Sequence, residues 1–210
     1  MRKVFCIMGK SATGKDTVYH RLIADESLHL ERIVPYTTRP MRIKEKDGDD
    51  YFFVTPERFR EMLAQDRVIE SRTYQTVQGP WTYFTADDGQ IRVGGPGGQT
   101  AADHDSADEA GDFIMVGTLE VYEALCRRFG KENIVPLYIE ASDEQRLERA
   151  MRRERKQNRP DYAEMCRRFL ADNEDFSEEK LSRAGIVKRY DNTELDACVE
   201  SIRGDILSEA

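Results

Sequence analysis

The chain has 210 residues, of which 39% are hydrophobic and 34% charged, and its formal net charge is -8. These values predict a single soluble globular domain with a real core, and the net negative charge argues against non-specific nucleic-acid binding, which needs a basic face. No apolar run of roughly 18 residues occurs, so we expect no transmembrane helix. The residues before the first apolar segment are too few for a signal peptide, and the four cysteines form no C-x-x-C pair. Reduced thiols in a cytoplasmic protein are therefore expected.

Strands and helices are predicted to alternate along the chain. Strands are predicted at 3–8, 51–54, 68–74, 81–85, 113–116, 134–139 and 186–190, and an extended segment at 34–42. Helices are predicted at 15–24, 56–64, 118–129 and 195–207. Two more helices are predicted to begin at 142 and at 162, on either side of Pro160. Such alternation predicts an α/β fold, with a mostly parallel sheet covered by helices on both faces. The segment 36–90 is richer in short strands, and we interpret it as an insertion in that core.

Residues 94–112 interrupt this pattern. Gly, Ala, Asp and Ser dominate the segment, and large apolar side chains are almost absent. That composition is typical of a flexible surface loop. His104 lies between Asp103 and Asp105, so a metal site is conceivable there, although a solvated loop tip is the simpler interpretation.

A phosphate-binding motif directly follows the first predicted strand. The sequence Gly9-Lys10-Ser11-Ala12-Thr13-Gly14-Lys15 matches G-x-x-x-x-G-K and precedes the first predicted helix. Glycines let the backbone wrap closely around phosphate oxygens, and the helix presents its positive end to the same anion. Lys15 adds a mobile charge that can follow a phosphoryl group in transfer. We therefore expect residues 9–17 to bind the triphosphate of ATP, with Lys15 as a catalytic residue.

The residue after the motif lysine is unusual. This position normally carries Ser or Thr, whose hydroxyl contacts Mg²⁺, but here it is Asp16, and a hydroxyl comes only at Thr17. A carboxylate near phosphates is repulsive unless a cation lies between them. Asp16 and Thr17 are therefore candidate Mg²⁺ residues. The alternative that Asp16 points away, as an acid in the first helical turn, stays open.

Two arginines three residues apart follow in Tyr36-Thr37-Thr38-Arg39-Pro40-Met41-Arg42. Guanidinium groups beside hydroxyls suit a phosphate dianion, although this block by itself is read more simply as a solvated surface strand. With the phosphate loop, the later Asp50-Tyr51-Phe52-Phe53-Val54 and Ile69-Glu70, the order of motifs resembles guanylate kinases. We expect the resemblance to cover nearly the whole chain apart from 94–112.

The resemblance implies a domain of three parts within 1–210. They are a P-loop NTPase core with an α/β/α arrangement, a GMP-binding subdomain at 36–90 and a small helical lid at 150–168. It also implies the reaction ATP + GMP = ADP + GDP, with ATP as donor and Mg²⁺ assisting. Nucleotides are then the expected partners, and the resemblance leaves monomer and homodimer open.

The resemblance also implies roles for particular residues. By position, Arg39, Arg42 and Tyr51 hold the GMP phosphate, Glu70 reads guanine, Thr85 lies near the guanine oxygen, and Tyr83 and Thr118 belong to the same acceptor site. A carboxylate accepts from the N1–H and 2-amino groups of guanine, whereas adenine offers neither donor. An unpaired buried polar group costs roughly 1–3 kcal/mol, so the wrong base is rejected.

Arginines concentrate around the predicted helix break, at Arg149, Arg152, Arg153, Arg155, Arg159, Arg167 and Arg168. A solvated helix face is the default interpretation of such a run, but acids are sparse between 149 and 160. In the family, arginines of the lid clamp the transferring phosphates, and Arg155 and Arg168 lie closest to those positions. We therefore expect both to be catalytic, by neutralising charge in the transition state.

Three positions depart from the family pattern. Pro35 stands where a base-contacting serine is frequent, and Val116 and Thr118 stand where two acids are common. Glu120 or Asp16 are candidates to compensate. Two alternatives stay open: a kinase of the same fold acting on another nucleotide or a ribose bisphosphate, and a non-catalytic guanylate-kinase-like binding module.

Overall fold

A parallel five-stranded sheet lies at the centre of the protein, whose computed structural model describes residues 2–42, 45–76, 79–93 and 111–209. The strands are β1 (Val4–Met8), β2 (Glu31–Arg32), β3 (Tyr36–Thr37), β4 (Phe52–Phe53), β5 (Val68–Thr76), β6 (Gly79–Ala86), β7 (Phe113–Val116), β8 (Ile134–Glu140) and β9 (Tyr190–Asp191). The helices are α1 (Lys15–Ile23), α2 (Pro56–Ala64), α3 (Leu119–Phe129), α4 (Asp143–Glu154), α5 (Tyr162–Asp175), α6 (Glu178–Ala184) and α7 (Leu195–Glu209), with short 3₁₀ turns at Glu26–Leu28 and Lys131–Asn133. The central sheet has the order β2-β7-β1-β8-β9, and every pair in it is parallel.

Helices cover both faces of this sheet, because its strands are apolar on both sides. Along β1, Cys6 points into a core that includes side chains of α3 and α6, whereas Ile7 points into a second core formed with α1 and α7. All five residues of β1 are fully buried. The three-layer α/β/α arrangement predicted from the alternation is confirmed.

A second, four-stranded sheet with the order β4-β3-β6-β5 lies within residues 36–86. Its strands β5 and β6 form a long antiparallel hairpin. Helix α2 packs on one face through Met62, beside Phe84 and Ala86. Because side chains alternate along a strand, the other face of the hairpin is left to line a cavity.

Most helices and strands lie close to their predicted places, but the edge strand β2 was not predicted, and two further differences occur near the C-terminus. In place of the strand predicted at 186–190 the structure has only the short strand β9 (Tyr190–Asp191). Ile186 instead packs in the core just after α6, and its N–H donates to the carbonyl oxygen of Leu181. Helix α6 was not predicted, since its few apolar positions fall between charged residues. Most of the predicted loop 94–112, with His104, lies outside the described residues. Among the helices that the structure does describe, none combines the length and apolar character needed to cross a bilayer.

Candidate active site

The predicted phosphate loop joins the end of β1 to the start of α1. Gly9 has φ +155°, and a Cβ there would lie 2.4 Å from the carbonyl oxygen of Ile139. Gly14 has φ +89°, and a Cβ there would lie 2.4 Å from Nδ2 of Asn192. Both glycines are therefore required by close packing, against backbone at Gly9 and against the Asn192 side chain at Gly14, as well as by backbone conformation. Gly14 is the N-cap of α1 and makes no side-chain cap, so the first N–H groups of the helix are available to an anion.

A buried arginine that the sequence did not single out holds the loop from behind. Arg146 of α4 is 1% exposed; its Nε donates to the carbonyl oxygen of Ser11 at 3.1 Å, and its Nη2 donates to Asp172 at 3.2 Å. Asp172 of α5 also accepts from the backbone N–H of Ser11 at 2.7 Å. The guanidinium also stacks 4.4 Å from the ring of Phe169. The loop, α4 and α5 are thus joined through one charged network.

A second support comes from the turn after β9. Asn192 is 3% exposed, and its Nδ2 donates to the carbonyl oxygen of Thr13 at 2.7 Å. Arg149 donates to the carbonyl oxygens of Thr13 at 3.3 Å and Asn192 at 2.8 Å. These contacts fix the far end of the loop just before Lys15, so the lysine starts from a rigid backbone.

The loop opens onto a cavity of about 320 Å³. Its lining residues are Ser11, Ala12, Gly14, Lys15, Asp16, Thr17, Arg149, Arg153 and Arg168. Of the two arginines predicted to be catalytic, Arg168 lines this cavity, whereas Arg155 is exposed at the C-terminal end of α4 and does not. Arg149 and Arg153 face the cavity because they lie one helical turn apart on α4. Lys10 and Thr13 line a separate neighbouring cavity of about 380 Å³.

The residues present fit a magnesium ion held mainly by phosphate. Among the described residues that line the loop cavity, Asp16 is the sole carboxylate, and the Thr17 hydroxyl is next to it in sequence. Mg²⁺ in such sites keeps several waters and takes only one or two protein carboxylates besides the substrate phosphates. Within the described part of the chain no cluster of three or more His, Cys, Asp or Glu side chains has the arrangement of a metal site.

A larger cavity of about 480 Å³ lies between the β5–β6 hairpin and the start of α3. Its lining residues are Tyr51, Glu70, Arg72, Tyr74, Trp81, Tyr83, Thr118 and Val121. The hairpin register pairs Glu70 with Thr85, Arg72 with Tyr83, and Tyr74 with Trp81, so these pairs share one face of the hairpin. Arg72, Tyr74 and Trp81 were not predicted; their period-two spacing from Glu70 and Thr85 is the signal that places them on this face.

Glu70 is oriented by its partner across the hairpin. The Thr85 hydroxyl donates to Oε1 of Glu70 at 3.0 Å. Burial raises the pKa of Glu70, while the hydrogen bonds from Thr85 and the charge of Arg72 act in the opposite direction and only partly offset it. The hydrogen bond from Thr85 thus orients the carboxylate within the lining of the cavity.

Arg39 is buried beside the aromatic wall of this cavity and is 3% exposed. Its Nε donates to the Tyr83 hydroxyl at 3.0 Å, and its guanidinium lies 5.7 Å from the Tyr51 ring. Its two terminal nitrogens donate to the Glu45 carboxylate at 2.9 and 2.8 Å. The Arg42 side chain is exposed, and its backbone N–H donates to Glu45 at 2.8 Å. The sequence motif did not single out Glu45, which joins both predicted phosphate arginines.

Of the three positions that depart from the family pattern, Thr118 lines this cavity, on its helix side. Thr118 is the N-cap of α3, and its hydroxyl accepts from the backbone N–H of Val121. Glu120 forms an ion pair with Arg72 at 2.9 Å. Burial is the main cause of the raised pKa of Tyr51, and the Asp16 carboxylate of the phosphate loop is one of the smaller contributions to it.

Comparison with known proteins shows a similarity to guanylate kinases. Residues 1–79 match the family model of guanylate kinases. A guanylate kinase of Mycoplasmoides gallisepticum is 38% identical over 71 residues, 34% of this chain and 36% of that protein. One from Schizosaccharomyces pombe is 41% identical over 68 residues, 32% of this chain and 34% of that protein. The chain thus spans about a third of the length of the curated relatives it matches.

The likeness in fold extends further than the likeness in sequence. The crystal structure of guanylate kinase from Anaplasma phagocytophilum has a TM-score of 0.61 and 17% identity, with 99% of this chain and 86% of that one covered. At that identity the likeness shows the fold alone. The sequence resemblance expected over nearly the whole chain is shown by the family model only for residues 1–79. The chain is thus related to guanylate kinases in sequence through its first 79 residues and in fold through nearly its entire length.

Proposed function

We propose that the protein is an ATP-dependent nucleoside monophosphate kinase that transfers the terminal phosphoryl group of ATP to GMP. The observation that carries the proposal is a pair of cavities with complementary linings. One is built from the phosphate loop and arginines, and the other holds a fixed carboxylate between aromatic side chains. A phosphoryl transfer between two nucleotides needs these two sites next to each other, so that the reacting oxygens are in line.

On the donor side, the N–H groups at the start of α1 and the Lys15 ammonium bind the phosphates of ATP. Arg149, Arg153 and Arg168 surround the same space and neutralise charge that spreads over the transferred group. Arg155, exposed at the end of α4, takes part only if the lid at 150–168 closes further. Mg²⁺, held by Asp16 and the Thr17 hydroxyl, supplies charge neutralisation to the phosphates when bound.

On the acceptor side, the ionised Glu70 accepts from the N1–H and 2-amino groups of guanine. Tyr51, Tyr83, Arg39 and Arg42 bind the phosphate of GMP. The attacking phosphate oxygen is already anionic, so no general base is required, and catalysis rests on positioning and charge stabilisation. The cysteines of the described chain are free thiols, which fits a reducing cytoplasmic setting.

A panel of acceptors tests the proposal. ADP formation is measured with GMP, AMP, UMP, CMP and a ribose bisphosphate, in the presence and absence of Mg²⁺. We expect Mg²⁺-dependent turnover with GMP well above the others. Preference for a ribose bisphosphate would favour the related kinase, and GMP binding without turnover of any acceptor would favour a non-catalytic binding module.

A further inference from the structure

The cavity of about 480 Å³ that holds Glu70 is the acceptor cavity of the proposed reaction. It contains a charged residue to which that reaction assigns no role. Arg72 lies two residues beyond Glu70 on β5 and lines the same cavity. Residues two apart on a strand lie on the same face, about 7 Å from each other. A carboxylate and a guanidinium therefore face one ligand space from adjacent positions. This inference rests on the proposed function and concerns how the same site recognises its base.

The Thr85 hydroxyl is committed to Glu70 and is not the donor that guanine needs. A hydroxyl has one proton, and that of Thr85 is donated to Oε1 of Glu70 at 3.0 Å. The oxygen of Thr85 can then only accept a hydrogen bond. Guanine, however, carries a carbonyl oxygen, O6, next to the N1–H that Glu70 reads, and O6 requires a donor. The position expected to contact the guanine oxygen is thus engaged elsewhere.

Arg72 supplies donors at this place. Its Nη2 pairs with Oε2 of Glu120 at 2.9 Å, and its Nη1 donates to the Tyr74 hydroxyl at 3.4 Å. Among contacts within the described residues, these two engage two of the five N–H groups that a guanidinium offers. Its side chain is 34% exposed, so the group is partly desolvated but still reachable from the cavity. The two contacts hold the guanidinium without using all its donors.

Glu120 explains why the guanidinium stays in the cavity. Glu120 lies in the first turn of α3, where its charge is favourable to the helix. Burial raises its pKa, but hydrogen bonds from its own backbone N–H and the Thr118 hydroxyl, with the charge of Arg72, outweigh burial and leave the pKa lowered. The carboxylate is therefore ionised beside Arg72. It acts as a positioning residue, because it orients Arg72 without itself lining the cavity.

We propose that Arg72 is a further specificity-determining residue, which donates to the O6 carbonyl of guanine while Glu70 accepts from N1–H and the 2-amino group. Glu70 and Arg72 then read the donors and the acceptor of one guanine from neighbouring strand positions. Adenine is rejected twice, because its N1 lone pair faces the carboxylate and its 6-amino group faces the guanidinium. Guanidinium groups are well suited to the O6 edge of guanine.

The test compares acceptors that differ at this atom in the wild-type and Arg72→Met proteins. The probes are GMP, 6-thio-GMP, which replaces only O6 by a poorer acceptor, and AMP. We expect wild type to prefer GMP over 6-thio-GMP by about 10-fold or more in kcat/KM, as for loss of a charge-assisted hydrogen bond. Arg72→Met should lower kcat/KM for GMP by about 10- to 100-fold and make the kcat/KM values for GMP and 6-thio-GMP nearly equal. The kcat/KM for AMP should stay unchanged or rise.

Two further variants separate Arg72 from its neighbours. Thr85→Val weakens GMP use but keeps the preference for GMP over 6-thio-GMP, since its role is to orient Glu70. Glu120→Gln raises KM for GMP by less than Arg72→Met and leaves kcat unchanged. Arg60→Met is the matched control, because Arg60 on α2 is 67% exposed in an ion pair with Glu57 and lines neither nucleotide cavity.

The inference is overturned if Arg72→Met lowers GMP, 6-thio-GMP and AMP use equally, or if Thr85→Val rather than Arg72→Met removes the preference for GMP. Calorimetric dissociation constants for GMP and 6-thio-GMP are measured on the same variants. If wild type turns over no acceptor, the kinase proposal fails, while the binding ratios still decide whether Arg72 reads O6. Arg72→Lys, which keeps the charge but not the planar fork, should restore only part of the preference.

Discussion

Arg39 and Glu45 form a bidentate ion pair, in which Nη1 donates to Oε2 at 2.9 Å and Nη2 donates to Oε1 at 2.8 Å. Their side chains are only 3% and 16% exposed. The pair fixes the orientation of the guanidinium, whose Nε donates to the Tyr83 hydroxyl. In the proposed function Arg39 would thus meet an incoming phosphate already oriented, with Glu45 as the residue that orients it.

Glu45→Ala should lower the free energy of unfolding by about 2–3 kcal/mol, because the Arg39 charge is left buried without its partner. Hydrogen bonds from Arg39 lower the pKa of Glu45 in the folded protein. The ionised Glu45 therefore contributes its full stabilisation at pH values above the pKa that this carboxyl group has in the unfolded chain. That stabilisation is lost as the pH falls through the lower pKa of the folded protein. Urea unfolding at neutral and acidic pH measures both effects, and the difference from wild type should shrink in acid.

Glu61→Ala is the matched control for this measurement. Glu61 pairs with Arg58 on the surface of α2, with the two side chains 60% and 47% exposed. Such pairs contribute little, so the unfolding midpoint should stay near that of wild type. Equal losses from both variants would contradict a special role for the Arg39–Glu45 pair.

Lys15→Met should abolish turnover while the protein stays folded. The ammonium lines the phosphate-loop cavity, and its removal takes away the mobile charge that follows the transferred group. A fall in kcat of about 10³-fold or more is expected, with unchanged circular dichroism. Lys188→Met, whose parent side chain is 58% exposed and lines neither nucleotide cavity, should keep full activity. Appreciable phosphoryl transfer by the Lys15 variant would rule out the assigned role.

Glu70 should make GMP binding sensitive to acid. Burial raises its pKa above the ordinary carboxyl value. The ionised form accepts from guanine, so KM for GMP should rise as pH falls through this raised value, at a higher pH than for an exposed carboxyl group. Steady-state kinetics across neutral to mildly acidic pH measure this change.

Glu70→Gln separates this titration from that of GMP, whose own phosphate has a second pKa of about 6. The variant should bind GMP at least about 10-fold more weakly, since the amide repels one guanine donor. It should retain only the pH dependence that comes from the ligand phosphate. Identical pH profiles for the variant and wild type would remove Glu70 from base recognition.

Arg146→Met should destabilise the phosphate loop and the whole fold. Arg146 is 1% exposed, and its loss leaves Asp172 and the carbonyl oxygen of Ser11 without their common donor. A loss of about 3 kcal/mol in the free energy of unfolding is expected, with a raised KM for ATP in the folded fraction. Arg152→Met, on the same helix and 68% exposed, should match wild type in both thermal midpoint and KM. An unchanged midpoint for Arg146→Met would show that the loop does not depend on this network.

The phosphate loop was predictable because its chemistry is local. Glycines, a lysine and a helix start must follow one another in sequence for the amides to converge on an anion. The block around Arg39 was recognised only through the family resemblance, because by itself it has the pattern of a solvated surface strand. The lid arginines were harder to predict, because only residues about one turn apart lie on the same face of a helix. Arg149 and Arg153 therefore line the cavity, whereas Arg155 does not.

The supporting residues could not be found in this way, because their partners are distant in sequence. Glu45 reads as one more surface acid until Arg39 is seen to be buried. Arg146 reads as one of many helical arginines, yet its partner Ser11 lies 135 residues earlier. The pairing of Arg72 with Glu120 joins a hairpin to a helix start. Burial turns such charges from solvated surface groups into fixed ones.

The sequence by itself determined most of the strands and helices and the phosphate-loop motif, since each depends on residues close together in the chain. Only the tertiary structure decided which charges line the two cavities and which hold the loop and hairpin together. Packing sets the desolvation of each group and the distance to its partner, and those two quantities determine what a charged side chain does.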